Sequence, residues 1–158
     1  MIGWFRRFGR EPILSSADRR DAAAFAPLHG ASFGRGWSEE EFERLLSDRS
    51  VVAHRAMRGS FLAGFILSRM AAGEAEILSV AVDPSQRGRG LAQKLLTLHL
   101  RRLAGLGCRR LFLEVDEDNE PARRLYRRAG FNEVARRPAY YGKGPSARAA
   151  LVLRRDLA

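Results

Sequence analysis

The feature that most constrains this chain is a change of rhythm between Ile77 and Leu103. A largely apolar run, Ile77 to Val82, stops at Asp83-Pro84, a turn signal. A basic loop punctuated by glycine follows, Arg87-Gly88-Arg89-Gly90. Apolar residues then recur at helical spacing, as Leu91, Leu95, Leu98 and as Ala92, Leu96, Leu100, Leu103. The succession predicts a strand, a tight loop and the first turn of a long helix. That order points several free backbone N–H groups and the positive end of a helix dipole at one place. Such a place holds an anion, most naturally a phosphate or pyrophosphate. Gly88 and Gly90 let the backbone come close to it, and Arg87 and Arg89 add charge.

The loop is not a P-loop, because no Gly-x-x-x-x-Gly-Lys-Ser/Thr stands here. The dinucleotide fingerprint also fails, since its third glycine would fall at Gln93. What remains is Arg87-x-x-Gly90-x-Ala92 directly after a strand.

A chain of 158 residues suits one domain with a full core, here 11–158, behind a tail formed by residues 1–10. The tail opens Met1-Ile2-Gly3-Trp4-Phe5 and lacks the apolar stretch and cleavage site of a secretory signal. No apolar run approaches the length of a membrane span. Cys108 is the single cysteine, which excludes an internal disulfide and agrees with a reducing, cytoplasmic setting. The net charge of +10 raises the question of nucleic acid. Yet Lys94 and Lys143 are the only lysines, and the arginines are scattered with no basic-aromatic tract. Stable nucleic-acid binding is therefore not expected, nor is a membrane partner.

Elsewhere the sequence reads as elements in a definite order. Glu11 to Ser15 suggests a short strand, and Asp18 caps a helix through His29 that ends at a loop from Gly30 to Gly36. Ser38 and Glu41 form a capping box for a second helix. Val51–Met57, Phe61–Met70 and the run ending at Val82 read as a meander turning at Arg58-Gly59-Ser60 and Ala71-Ala72-Gly73. After the long helix, Arg109–Val115 is a strand and Asn119 opens a helix with Pro121 in its first turn. Val134–Tyr141 and Ala147–Arg154 close the chain as strands. Strands and helices in this order imply an α/β fold, a mixed and mostly antiparallel sheet with about four helices on its faces.

Chemistry-bearing residues gather downstream of the loop. Glu114 stands near the end of a strand, Asn119 at the next helix start, Tyr126 seven residues on, and Gly130-Phe131 after it. Together with Val80-Ala81-Val82 and the Arg87–Gln93 loop, this spacing resembles the GCN5-related N-acetyltransferases (GNAT). Within them it is most similar to the bacterial ribosomal-protein-alanine N-acetyltransferases (RimI type). The likeness runs over residues 11–157. It implies acetyl-CoA as co-substrate, with its pantetheine arm along Val80, Ala81 and Val82 and its pyrophosphate on Arg87, Gly88, Arg89, Gly90, Leu91, Ala92 and Gln93. Asn119 would bond the arm, Glu114 would act as general base and Tyr126 as general acid, with no metal. His29, Trp37, Tyr140 and Tyr141 would face the acceptor peptide. Acidic residues at Glu39–Glu43 and Asp116–Asp118 could attract basic positions of that peptide.

These residue types suit the chemistry. An amine must shed a proton before attacking a thioester, and the leaving thiolate, of ordinary pKa near 8.5, must gain one. An α-amine, of pKa about 7.7 to 8.0, is far easier to neutralise than a lysine near 10.4. The resemblance thus implies a protein N-terminus as acceptor, most simply that of a small-subunit ribosomal protein. A small-amine or antibiotic acetyltransferase and a non-catalytic CoA-binding module are the alternatives.

Overall fold

The computed structural model describes residues 11–157, so the expected tail at residues 1–10 lies outside the described residues. The elements are β1 (Ile13–Ser16), α1 (Ala22–Ser32), α2 (Glu39–Ser47), β2 (Val51–Arg58), β3 (Phe61–Ala71), β4 (Glu74–Val82), α3 (Leu91–Gly105), β5 (Arg110–Asp116), α4 (Glu120–Arg128), β6 (Asn132–Tyr141) and β7 (Arg148–Asp156). The strands form one sheet in the order β1-β2-β3-β4-β5-β7-β6. Every pairing is antiparallel except β4 with β5. This is the mixed α/β architecture expected from the order of elements.

Local chemistry explains most boundaries. Ala72 and Gly73 both take positive φ, the pair of left-handed residues that a tight hairpin between β3 and β4 requires. Ser38 Oγ accepts from the Glu41 N–H at 3.1 Å while Glu41 accepts from the Ser38 N–H at 2.7 Å, the reciprocal cap that starts α2. One helix differs from expectation at both ends. Asp18 caps a single 3-10 turn, Arg19–Asp21, and α1 begins only at Ala22. At its far end α1 runs through Gly30 to Ser32, because the Phe33 ring packs on His29 at 4.6 Å and the Phe33 N–H bonds the His29 carbonyl.

The sheet is covered on both faces. Leu95, Leu96 and Leu103 of α3, with Tyr126 of α4, pack on Leu111 and Leu113 of β5. On the other face Phe25 of α1 stacks on Phe65 of β3 at 4.3 Å, and Phe42 of α2 meets both edge-on. Truncating one such ring costs roughly 3–5 kcal/mol. A polar string also crosses the core under α3. His54 Nδ1 lies 2.7 Å from His99 Nδ1, and His99 Nε2 lies 2.7 Å from Ser68 Oγ, all three residues being buried.

The decisive irregularity lies in β4. Its ladder with β3 pairs Ser68 with Ile77 and Leu67 with Ser79, leaving Leu78 as an extra residue. The bulge exchanges the faces of the strand. Ala75 and Ile77 point to the α3–α4 layer before it, and Val80 and Val82 do so after it. Parallel pairing with β5 stops at the same level. It comprises Glu74 with Arg110, Ala75 with Leu111 and Glu76 with Phe112, and no further. Beyond that level β4 and β5 diverge.

Candidate active site

The divergence opens a groove of about 2020 Å³, walled by β4 from Ile77 to Val82, by β5 from Leu113 to Asp116, and by α3 and α4. Its volume exceeds the roughly 300–1,000 Å³ usual for a small-ligand pocket, and suits a long ligand together with an acceptor. On the β4 side the wall offers backbone groups that no strand pairs. It also offers Ser79, whose buried Oγ has no hydrogen-bond partner among the described residues. An unsatisfied buried hydroxyl is costly, and a ligand with amide groups along this edge would satisfy it.

At the upper end stands the glycine loop. Gly88 and Gly90 hold φ of +76° and +74°, a region hostile to other residues, and Gly90 is the cap residue from which α3 begins. The first N–H groups of α3 have no acceptor within the helix and face the groove entrance through Leu91, Ala92 and Gln93. Arg87 also lines the groove, and its Nε donates to the Val82 carbonyl at 3.2 Å, tying the loop to the strand end. Arg89 is exposed and does not line it.

The opposite wall carries the expected acid–base residues. Tyr126 lies on the inner face of α4 with 7% of its surface accessible, edge-on to Phe131 at 5.5 Å, and it lines the groove. Burial pushes its hydroxyl up to about 12, so it stays protonated throughout the neutral range. Glu114 lines the groove from β5 and forms an ion pair with Arg137 of β6 at 3.1 Å. Asn119 caps α4, its Oδ1 accepting from the Ala122 N–H at 3.3 Å, and the residue lines the groove.

The acceptor-facing residues divide. Tyr141 lines the groove; its hydroxyl is raised by burial and by the carboxylates of Glu114 and Asp116. Tyr140 is half exposed outside it, with the Arg137 guanidinium 5.6 Å from its ring centre. His29 and Trp37 are stacked at 4.3 Å, and the His29 Nδ1 accepts from the Trp37 N–H at 3.0 Å. Neither lines the groove. They brace the α1–α2 loop, which reaches it through Phe33, Gly34 and Arg35. Burial lowers the His29 ring below its ordinary range and keeps it neutral. Gly36 completes the brace, because a Cβ there would stand 2.6 Å from the Gly30 Cα.

The acidic stretch after β5 is not a free anionic patch. Asp116 bonds Arg148 Nε at 2.7 Å, Asp118 lies 3.8 Å from the same atom, and Glu117 pairs with Arg136. Glu39–Glu43 belongs to α2 and does not line the groove. The arginines responsible were missed in the sequence, because Arg136, Arg137 and Arg148 reach β5 only through the strand order β5-β7-β6. Ser79 was missed because the bulge that isolates it leaves no composition signal. Among the described residues no group of three or more His, Cys, Asp or Glu is arranged to hold a metal, and no helix is long and apolar enough to cross a membrane.

Comparison with known proteins agrees with this geometry. A ribosomal protein bS18-alanine N-acetyltransferase from Escherichia coli is 30% identical over 128 residues, covering 81% of this chain and 86% of that enzyme. The crystal structure of the Escherichia coli ribosomal-protein-S18-alanine N-acetyltransferase superposes with a TM-score of 0.86 at 26% identity, over 93% of this chain and 94% of that one. Arabidopsis thaliana NAA60, solved in complex with acetyl-CoA, shares the fold with a TM-score of 0.80 at 19% identity, over 92% of this chain and 98% of that one. A Mycobacterium leprae protein without assigned function is 47% identical over 68 residues, but this chain spans only 18% of its length. The model of the Acetyltransferase (GNAT) family matches residues 22–131, which include the glycine loop, both diverging strands and the helix bearing Tyr126, and the chain belongs to that family.

Proposed function

We propose that the chain transfers the acetyl group of acetyl-CoA to the N-terminal α-amine of a protein, most simply an alanine-initiated small-subunit ribosomal protein in the cytoplasm. The observation that carries this reading is the divergence of β4 and β5, which puts the glycine loop, Glu114 and Tyr126 on the walls of one groove. The residues present fit the co-substrate. The loop amides with Arg87 suit a pyrophosphate, and the unpaired edge of Val80, Ala81 and Val82 with the orphaned Ser79 hydroxyl suits an amide-bearing arm. When bound, acetyl-CoA supplies an activated thioester.

The chain's own groups then divide the proton traffic. Glu114 takes the proton of the incoming amine, directly or through a water, while Arg137 fixes the carboxylate in place. Tyr126, protonated at every working pH, gives its proton to the departing sulfur, whose conjugate thiol is more acidic than the phenol but which leaves unprotonated. Asn119 donates to the arm beside the reacting carbonyl. Tyr141 lines the acceptor end, with His29 and Trp37 holding the loop across from it. The kinship with the Escherichia coli enzyme supports a peptide acceptor. So does the pairing of Glu114, Asp116 and Glu117 with arginines, which neutralises the carboxylates that a polycationic amine would need there.

The test uses a matched pair of peptides beginning Ala-Arg-Tyr. One has a free α-amine; the other is blocked there and carries an internal lysine. Mass spectrometry after incubation with acetyl-CoA should find label on the free terminus alone. Comparable labelling of the lysine, or preference for a polyamine or aminoglycoside, would reassign the acceptor.

A further inference from the structure

We propose that the buried string of His54, His99 and Ser68 is a positioning device: it fixes the spacing between the helix that carries the glycine loop and the bulged strand that carries the arm edge. The proposal rests on the acetyl-CoA reading of the groove. It adds three residues that do not line the groove and act only through the elements that do.

The two halves of the site belong to different elements. The loop opens α3 and the edge Val80–Val82 closes β4, so a ligand that spans both reads the distance between them. Down α3, His99 lies about 13 Å along the axis from Gly90. On the sheet, Ser68 of β3 stands opposite Ile77, at the ladder step where Leu78 is inserted into β4. The 2.7 Å link between His99 Nε2 and Ser68 Oγ therefore ties the helix to the sheet at the level of the bulge. His54 of β2 holds the other side of the same ring, Nδ1 to Nδ1 at 2.7 Å. Nearer the loop the seating is apolar. A Cβ at Gly64, which pairs with Val82, would stand 3.2 Å from Leu95 Cδ1 and 2.9 Å from the Ala81 carbonyl oxygen, so α3 sits close on β3 and β4 there.

The two kinds of contact do different things. Apolar contact is non-directional and lets a helix slide, whereas a hydrogen bond fixes both distance and angle. Ser68 and His99 have no accessible surface, and burying polar groups at such a place is costly compared with an alanine and a leucine. What the polar pair adds over an apolar one is a single setting of α3 against the bulge. The loop at the helix start and the edge at the strand end inherit that setting.

Binding of the whole co-substrate and of its two halves tests it. Titrations compare acetyl-CoA with 3′-phosphoadenosine 5′-diphosphate, which reaches only the loop, and with S-acetylpantetheine, which reaches only the strand edge. The proteins are the parent, Ser68→Ala, Ser68→Ala/His99→Leu and His99→Gln. The double variant replaces both partners by apolar groups, a change close to neutral in stability; Ser68→Ala carries the test alone should it not fold. Both should bind acetyl-CoA roughly tenfold more weakly than the parent, because tethered halves gain affinity only when their spacing matches the sites. Each half alone should bind them as it binds the parent. A glutamine amide reaches the place of the imidazole Nε2, so His99→Gln should keep most of the parent's affinity. Parent-like acetyl-CoA affinity in Ser68→Ala would overturn the proposal and leave the acetyl-CoA reading standing. So would equal weakening toward all three ligands, the mark of a general loss of structure. Failure of the parent to bind any of the three would overturn the acetyl-CoA reading and the proposal with it.

Discussion

Tyr126 and Glu114 face the same groove but meet opposite environments, and that contrast sorts their roles. Tyr126 is sealed among apolar neighbours that hold its proton on; Glu114 is half-buried and ion-paired with the Arg137 guanidinium. Tyr126→Phe removes only a hydroxyl that has no hydrogen-bond partner among the described residues. Its melting temperature should stay within a few degrees of the parent's and its affinity for acetyl-CoA should be unchanged. Its turnover should fall about a hundredfold or more, the usual share of a general acid. Parent-like turnover would make Tyr126 a core aromatic. Glu114→Gln should depend on amine that is already neutral. Its rate should climb steeply as pH passes the α-amine range near 7.7 to 8.0 and approach the parent's above it. A pH profile parallel to the parent's would remove Glu114 from the proton path. Both residues were singled out through the resemblance, whose spacing sets Glu114 near a strand end and Tyr126 seven residues after a helix start, and both line the groove. Arg137 was not, since nothing local links β6 to β5 across an intervening strand.

Among the elements, the loop before α3 combines two demands that no single residue type but glycine meets: left-handed backbone and a surface bare of side chains. The two glycines and the helix after them could be read directly from the change in apolar period. Gly90→Asp would add backbone strain, of roughly 1–2 kcal/mol for a residue other than glycine at this φ, and a negative charge beside the anion. In a thermal-shift titration the variant should lose most of the stabilisation that acetyl-CoA gives the parent. An undiminished response would move the anion site elsewhere. The α1–α2 loop teaches the reverse lesson. Its glycines read as the two ends of a loop, yet Gly30 continues a helix, and Gly36 lies so close to the Gly30 backbone that it has no room for a Cβ. Sequence spacing shows where a chain can bend, but close backbone contact is settled by packing. The bulge at Leu78 escaped for a similar reason. Apolar residues stand on both sides of it, so the exchange of faces leaves the hydropathy pattern unaltered.

At the scale of the whole molecule, α3 is both the wall of the groove and the helix pinned to the sheet by His54, His99 and Ser68. The two ring nitrogens at 2.7 Å can share one proton but not two. Burial, and then the neighbouring His54, lower His99 to about 3, while burial and the Arg102 charge lower His54. The unfolded chain takes up these protons near pH 6.5 and the folded chain refuses them. Stability should therefore be fully present above that pH and fall as pH drops from 6.5 toward 3, by about 1 kcal/mol per pH unit for His99 alone. Urea midpoints measured between pH 8 and pH 4.5 should show the decline, and a flat profile across that interval would contradict it. The order of strands and helices was legible throughout, whereas this string was not, because histidines 45 residues apart meet only after the sheet has formed.

The parting of β4 from β5 has a consequence for how the protein behaves in a crowd. Unpaired strand edges are templates, and on the outside of a molecule they invite a second chain to add itself and propagate. Here two such edges, Ile77–Val82 and Leu113–Asp116, are turned inward and roofed by helices. A slender chain can slip between them, but a neighbour's strand, which needs a flank for its own side chains, cannot. The molecule keeps the recognising power of an open edge while denying it to its own kind.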